Sequence, residues 1–246
     1  MAFSSLAEID NYMKENICEF WEAVIREEAR DSQQPEMDIV NRMTQMYRAM
    51  KEADETYDDT LTSHSGLSGK NGKRMADYAA THKCMCGEFG GAVMARAIKM
   101  AESNACMKRI VAAPTAGACG VMPAVLVTYY KEYEASEETM IQAMYVAAGI
   151  GQVIASRASL AGASGGCQAE IGSASGMAAA AICSVRGGSK EQMGHACAMA
   201  LKNLMGLVCD PVAGLVEVPC VKRNVGGAVN ALAAADMALA GIASHI

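Results

Sequence analysis

A mainly α-helical fold is what this chain predicts, and three observations carry the expectation. Apolar residues fill 52% of its 246 positions while aromatics fill only 5%, and strands draw far more heavily than helices on aromatic and β-branched side chains. Ala, Met and Gly are plentiful, a balance that suits close-packed helices. The alternation of strand and helix patterns needed for a doubly wound sheet is missing.

Taken in order, residues 4 to about 56 read as two polar amphipathic helices. Ser5 followed by Glu8 is a capping box for the first, with Trp21, Val24 and Ile25 on its apolar side. Pro35 suits the first turn of the second, which carries Ile39, Val40, Met43, Met46, Tyr47 and Met50 at helical spacing. Residues 1–58 thus form a docking or packing arm, continuous with a helical domain over 59–246. Asp58-Asp59-Thr60 leads into a Ser/Gly-rich loop over 63–73. Helices are expected at roughly 74–102, 121–134, 137–156, 173–186, 189–206 and 226–243, with at most one short strand at 109–113. Gly- and Pro-punctuated loops separate them at 114–120, 162–167 and 207–224.

Charge and hydropathy narrow the function. A net charge of −6 and a pI near 5.3 argue against a nucleic-acid partner, which normally meets a basic face. The opening residues lack the cationic and apolar regions of a secretory signal. Gln142, Gln152 and Asp236 interrupt the most apolar helical stretches, so no membrane span is expected. Ten cysteines without an export signal point to a reducing cytoplasm and mostly free thiols.

Three of those cysteines stand out. Cys167 follows Gly165-Gly166, Cys209 precedes Asp210-Pro211, and Cys220 follows Val218-Pro219. Loops stiffened by Gly and Pro hold sulfurs at fixed positions, and in a reducing compartment converging thiols point to a metal or cluster rather than a disulfide. Three unrelated buried thiols remain the competing reading, since free Cys is among the most buried residue types. Cys84 and Cys86 beside His82 look like half a zinc site, but their spacing puts them on different helix faces and no second half is present. They read as packing thiols, as do Cys18, Cys106, Cys183 and Cys197.

The runs Ala112-Ala113-Pro114-Thr115-Ala116-Gly117-Ala118-Cys119-Gly120, Gly165-Gly166-Cys167-Gln168-Ala169-Glu170-Ile171-Gly172 and 209–220 (CDPVAGLVEVPC) closely resemble the α chain of iron–sulfur-dependent L-serine dehydratase. Ser65-Gly66-Leu67-Ser68-Gly69 resembles that family's substrate-side glycine loop. The resemblance implies a [4Fe-4S] cluster on Cys167, Cys209 and Cys220, with one open iron facing L-serine, and no pyridoxal phosphate. It implies conversion of serine to pyruvate and ammonia. It also implies a separate β subunit that completes the site, and alpha chains that run a few dozen residues past 242, so this chain reads as shortened.

Within that frame His64, Lys73 and Asn224 are the candidate catalytic residues, and Ser65, Gly66, Thr115, Gly117 and Cys119 the candidate substrate-binding ones. Lys70 could bind a carboxylate, and Lys222 and Arg223 could orient the sulfides or the substrate. Cys119 as a fourth ligand would close the cluster and make a redox or scaffold subunit, the alternative from another functional class. A close relative releasing sulfide from L-cysteine is the other alternative.

Overall fold

The computed structural model describes residues 3–246, and over these the chain forms eleven α-helices and two short 3₁₀ turns, with no strand among the described residues. The helices are α1 (Leu6–Asn16), α2 (Phe20–Ser32), α3 (Glu36–Glu55), α4 (Asn71–Ala79), α5 (Gly87–Ala105), α6 (Val121–Glu132), α7 (Glu137–Arg157), α8 (Gly162–Gly165), α9 (Cys167–Val185), α10 (Lys190–Asn203) and α11 (Cys220–Leu239). The mainly α expectation is met. Where at most one short strand was expected, at 109–113, the segment is coil.

The N-terminal stretch holds three helices rather than two. Ser5 caps α1 by accepting the amide of Glu8, but Ile17 takes a left-handed conformation (φ 47°) and ends it. Glu19 and Glu22 then form a capping box that starts α2. Pro35 stands at the N-cap of α3 rather than inside its first turn. The long helix expected at 74–102 is likewise split, with His82 (φ 59°) and Gly87 (φ 71°) turning the chain between α4 and α5.

α9 is the axis of the fold. Ala174 and the run 178–181 are completely buried, and α9 packs on α6, α7, α10 and α11. Small residues set these distances: a Cβ on Gly227 of α11 would lie 2.7 Å from Ile171 Cγ2 of α9, so the Ile171 side chain packs directly on the α11 backbone. Among the described residues α7 alone is long and apolar enough to cross a membrane, yet half of its most apolar window is buried inside the protein. Its apolarity is that of a core helix packed on α2, α3 and α9.

The arm is fastened to this core by packing and charge. Phe20 and Val24 of α2 close over Gly149 of α7, and Tyr145 Oη donates to Ile39 O at 2.7 Å. The buried Asp54 carboxylate of α3 meets Arg96 and Lys131, each at 2.9 Å. On the surface, Glu137 at the start of α7 accepts from Arg48 and Lys51, both at 2.8 Å. Hydrogen bonds from those two cations hold its carboxyl down at about 2. A carboxyl lowered on folding stabilises the fold above its unfolded value and ceases to as pH falls through the folded value. Urea midpoints should therefore hold steady down to about pH 5 and fall below it. Glu137→Gln should remove part of that acid sensitivity, an effect of about 0.2–1 kcal/mol for an exposed pair.

Candidate functional site

Two long helices begin side by side. α9 starts at Cys167 and α11 at Cys220, so both thiols sit on the first residue of a helix rather than in the loops the sequence suggested. The helices run in the same direction, since two turns in, Ser175 Oγ of α9 donates to Gly227 O of α11 at 2.8 Å, and Asn230 Nδ2 of α11 donates to Ser175 Oγ at 2.9 Å. Both positive helix ends therefore point at the same place, and such ends favour thiolate over thiol.

Gly166 (φ 78°) makes the turn into α9. Its missing side chain lets the loop before Cys209 lie close: a Cβ there would be 3.0 Å from Leu207 O. Gln168 N donates to Leu207 O and Gln168 Oε1 accepts from Gly206 N, both at 2.8 Å, clamping that loop onto α9. Cys209 is thereby brought to the two helix ends and stays exposed.

The three thiols lie within electrostatic reach of one another. Burial pushes the Cys220 thiol up, and Cys167 and Cys209 push it further. Burial also raises Cys167, against the opposing effect of Arg223, whose Nη1 donates to Cys167 Sγ at 3.1 Å. Arg223 also donates to Val208 O at 3.0 Å and pairs with Asp210, so one guanidinium links the first cysteine to the loop of the second.

Two further loops converge there. Residues 115–120 are held by Asn224, a completely buried residue of α11. Its Oδ1 accepts from Gly120 N at 2.8 Å and its Nδ2 donates to Gly117 O at 2.8 Å and Cys220 O at 3.1 Å. The structure thus places this candidate catalytic side chain as a tie between backbones, its amide groups already engaged. Asn224→Ala should lower unfolding free energy by about 2 kcal/mol, the cost of leaving a buried donor and acceptor unmatched, as read by urea denaturation.

The Ser/Gly loop docks on the segment before Cys220. Ser63 and Ser65 donate to Glu217 Oε2 at 2.6 and 2.9 Å. Burial alone would raise the Glu217 carboxyl, but these hydroxyls hold it below the usual range. From behind, the buried Glu102 carboxylate accepts from the amides of Gly69, Asn71 and Gly72, from Asn71 Nδ2 and from Tyr57 Oη, at 2.7–3.0 Å. It thus anchors the loop and caps α4 together.

Other expected site residues fall as follows. His64 and Gly66 are exposed on the docked loop, and Gly66 (φ 78°) has the backbone a glycine favours. Lys73 is exposed on α4 and paired with Asp77, and Lys70 is exposed at the N-cap of the same helix. Thr115 donates its hydroxyl to Glu170, and Gly117 packs against the same carboxylate. Cys119 is buried, with Sγ 3.7 Å from Met100 O, and burial pushes its thiol up to about 12. Of the set-aside cysteines, Cys183 and Cys197 are buried, whereas Cys86 is exposed at the N-cap of α5 and is not a packing thiol.

Glu102, Glu170 and Glu217 carry much of this architecture and are absent from the sequence-derived list. Glu170 and Glu217 sit inside the quoted motifs, which is the signal that could have found them. Glu102 had none, since it lies within a helical stretch far along the chain from the loop it holds.

An apolar groove of about 490 Å³, lined by Leu6, Phe20, Ile154, Leu201 and Ile246 among others, contains none of the three thiols that meet at the helix ends. Around Cys209, Val208, Val212, Leu215 and Val216 are exposed. The donor set suits a group that takes thiolates: sulfurs within electrostatic reach of one another, an arginine on one of them and two helix N-termini. No three His, Cys, Asp or Glu side chains among the described residues are close enough to hold a single metal ion. A cluster is larger than one ion and spreads its thiolates more widely.

Fold and site together define an all-α protein whose reactive groups, three thiols and a carboxylate, gather where two parallel helices begin. The chain belongs to the serine dehydratase alpha chain family, which matches residues 15–246. It is 43% identical to the probable L-serine dehydratase alpha chain of Bacillus subtilis, over 99% of this chain and 81% of that protein. It is 42% identical to the L-serine dehydratase alpha chain of Peptoniphilus asaccharolyticus, over 97% of this chain and 82% of that protein. To the L-serine dehydratase TdcG of Escherichia coli it is 46% identical over 58% of its own length and 32% of the relative's.

Proposed function

We propose that this chain is the alpha subunit of an L-serine dehydratase, a lyase that converts L-serine to pyruvate and ammonia. The observation that carries the reading is the meeting of Cys167, Cys209 and Cys220 at two helix N-termini, in a chain 42–43% identical to L-serine dehydratase alpha chains over nearly its whole length. These three residues would hold a [4Fe-4S] cluster, and pyridoxal phosphate plays no part. When bound, the cluster supplies a Lewis acid that makes the serine hydroxyl a better leaving group.

The chain's own residues do the rest. Arg223 offsets negative charge on Cys167 and holds the Cys209 loop in place. The short turn at 115–120, fixed by Asn224, is the proposed seat of the substrate carboxylate. Exposed His64, on the loop that Glu217 and Glu102 hold, is the candidate base for the α-proton. Loss of that proton and of the hydroxyl leaves an aminoacrylate, which becomes an imine and hydrolyses to pyruvate and ammonia without further help.

The exposed apolar residues Leu67, Val208, Val212, Leu215 and Val216 support a partner that covers this face. A β subunit is the proposed occupant. The test is pyruvate formation from L-serine after anaerobic loading with iron and sulfide, with and without the protein encoded beside this one. Pyruvate only with the partner, lost on exposure to air, is the expected result. A fully loaded pair that makes no pyruvate would overturn the substrate, and a chain that takes up no iron would overturn the cofactor.

A further inference from the structure

An amino acid arrives as a zwitterion, so a site that binds one needs an acceptor for the ammonium as well as donors for the carboxylate. Three acids surround the thiols, and two are occupied. Asp210 is paired with Arg223, and Glu217 is buried beneath the serine hydroxyls. Glu170 differs. It lies one turn into α9 from Cys167, and its charge acts on Cys119, Cys167 and Cys220, which places it among three converging elements.

Thr115 donates to Glu170 Oε1, while Oε2 has no donor among the described residues. Glu170 is half-buried. Two glycines pack against it: a Cβ on Gly117 would come within 2.6 Å of both oxygens, and one on Gly162 within 2.8 Å of Oε2. A side chain at either position would crowd the acceptor.

We propose that Glu170 receives the α-ammonium of the substrate, Oε2 accepting from it while Thr115 fixes the carboxylate through Oε1. The inference rests on the reading of this site as one that binds an amino acid. It assigns Glu170 a role in selecting amino acids over the corresponding hydroxy acids.

The test compares binding of L-alanine, which has no leaving group, with L-lactate, which carries a hydroxyl in place of the amino group. Calorimetry on the iron-loaded protein with its partner should show the wild type preferring alanine by at least about tenfold, the scale of a charged hydrogen bond. Glu170→Gln keeps an acceptor for Thr115 but loses the charge, and should cut the preference to within about twofold. In serine turnover the loss should fall on KM more than on kcat, as for binding shared by ground and transition states. Glu170→Asp should restore part of the preference, and Thr115→Val should weaken it less than Glu170→Gln.

If Glu170→Gln keeps the alanine preference, or Thr115→Val abolishes it as fully, Glu170 is a structural tie and the inference falls. The outcome is separable from the dehydratase reading. A wild type that makes no pyruvate yet discriminates alanine through Glu170 would refute that reading and uphold this one. A wild type that turns serine over while Glu170→Gln retains the preference would refute this one alone.

Discussion

Cys167→Ser, Cys209→Ser and Cys220→Ser are each expected to abolish iron retention, whereas Cys119→Ser should retain it. The first three thiols act on one another's charge, and two of them stand on the first residue of a helix, where the helix N-terminus opposes the rise that burial imposes and helps hold the thiolate a metal needs. Cys119 has its thiol pushed up to about 12 by burial and makes a weak contact to a backbone carbonyl. Cys209→Ser is the cleanest of the set because Cys209 is exposed. Its unfolding free energy should stay within about 0.5 kcal/mol of wild type while iron content falls to background. Iron and sulfide assays, with absorbance of the reconstituted protein, read the first quantity, and urea denaturation reads the second. Equal iron loss in Cys119→Ser and Cys209→Ser would establish a fourth ligand and favour a scaffold or redox subunit over a lyase.

The second large effect is expected at Glu102, far from any candidate ligand in sequence. Glu102→Ala strands three backbone amides, the Asn71 amide and the Tyr57 hydroxyl in a place where Glu102 itself is 1% exposed. Removing one partner from a buried charged network costs about 3–5 kcal/mol. Hydrogen exchange at Gly69, Asn71 and Gly72 should quicken, and α4 should lose protection with them. The loop bearing His64 and Ser65 would then keep its bonds to Glu217 but lose its anchor at 69–72, so serine turnover should fall even at temperatures where the variant stays folded. Glu102→Gln keeps two acceptor lone pairs but faces amide donors with an amide of its own, so it should lie between. A Glu102→Ala protein within about 1 kcal/mol of wild type would show that the network contributes little.

The class of the fold was legible because periodicity and composition are properties of the chain itself. The central helices α6, α7 and α10 begin and end within a few residues of their expected positions. Errors fell where tertiary contacts overrode local signals. Gly166 and Pro219 read as loop punctuation, yet each stands immediately before the first residue of a helix, so α9 and α11 reach back to Cys167 and Cys220. Ile17 carries no breaker signal and still ends α1 in a left-handed conformation.

By itself, then, the amino-acid order determined the helical class, the three cysteine-bearing motifs and the family they belong to, because each is written in contiguous residues. Only the tertiary structure decided what those motifs meet. Arg223 reaches Cys167 across 56 positions, Ser63 reaches Glu217 across 154, and Asn224 reaches Gly117 across 107. The physical reason is that a carboxylate or amide buried at the meeting of helices must find its partners in whatever backbone the packing brings to it. No local pattern records that choice.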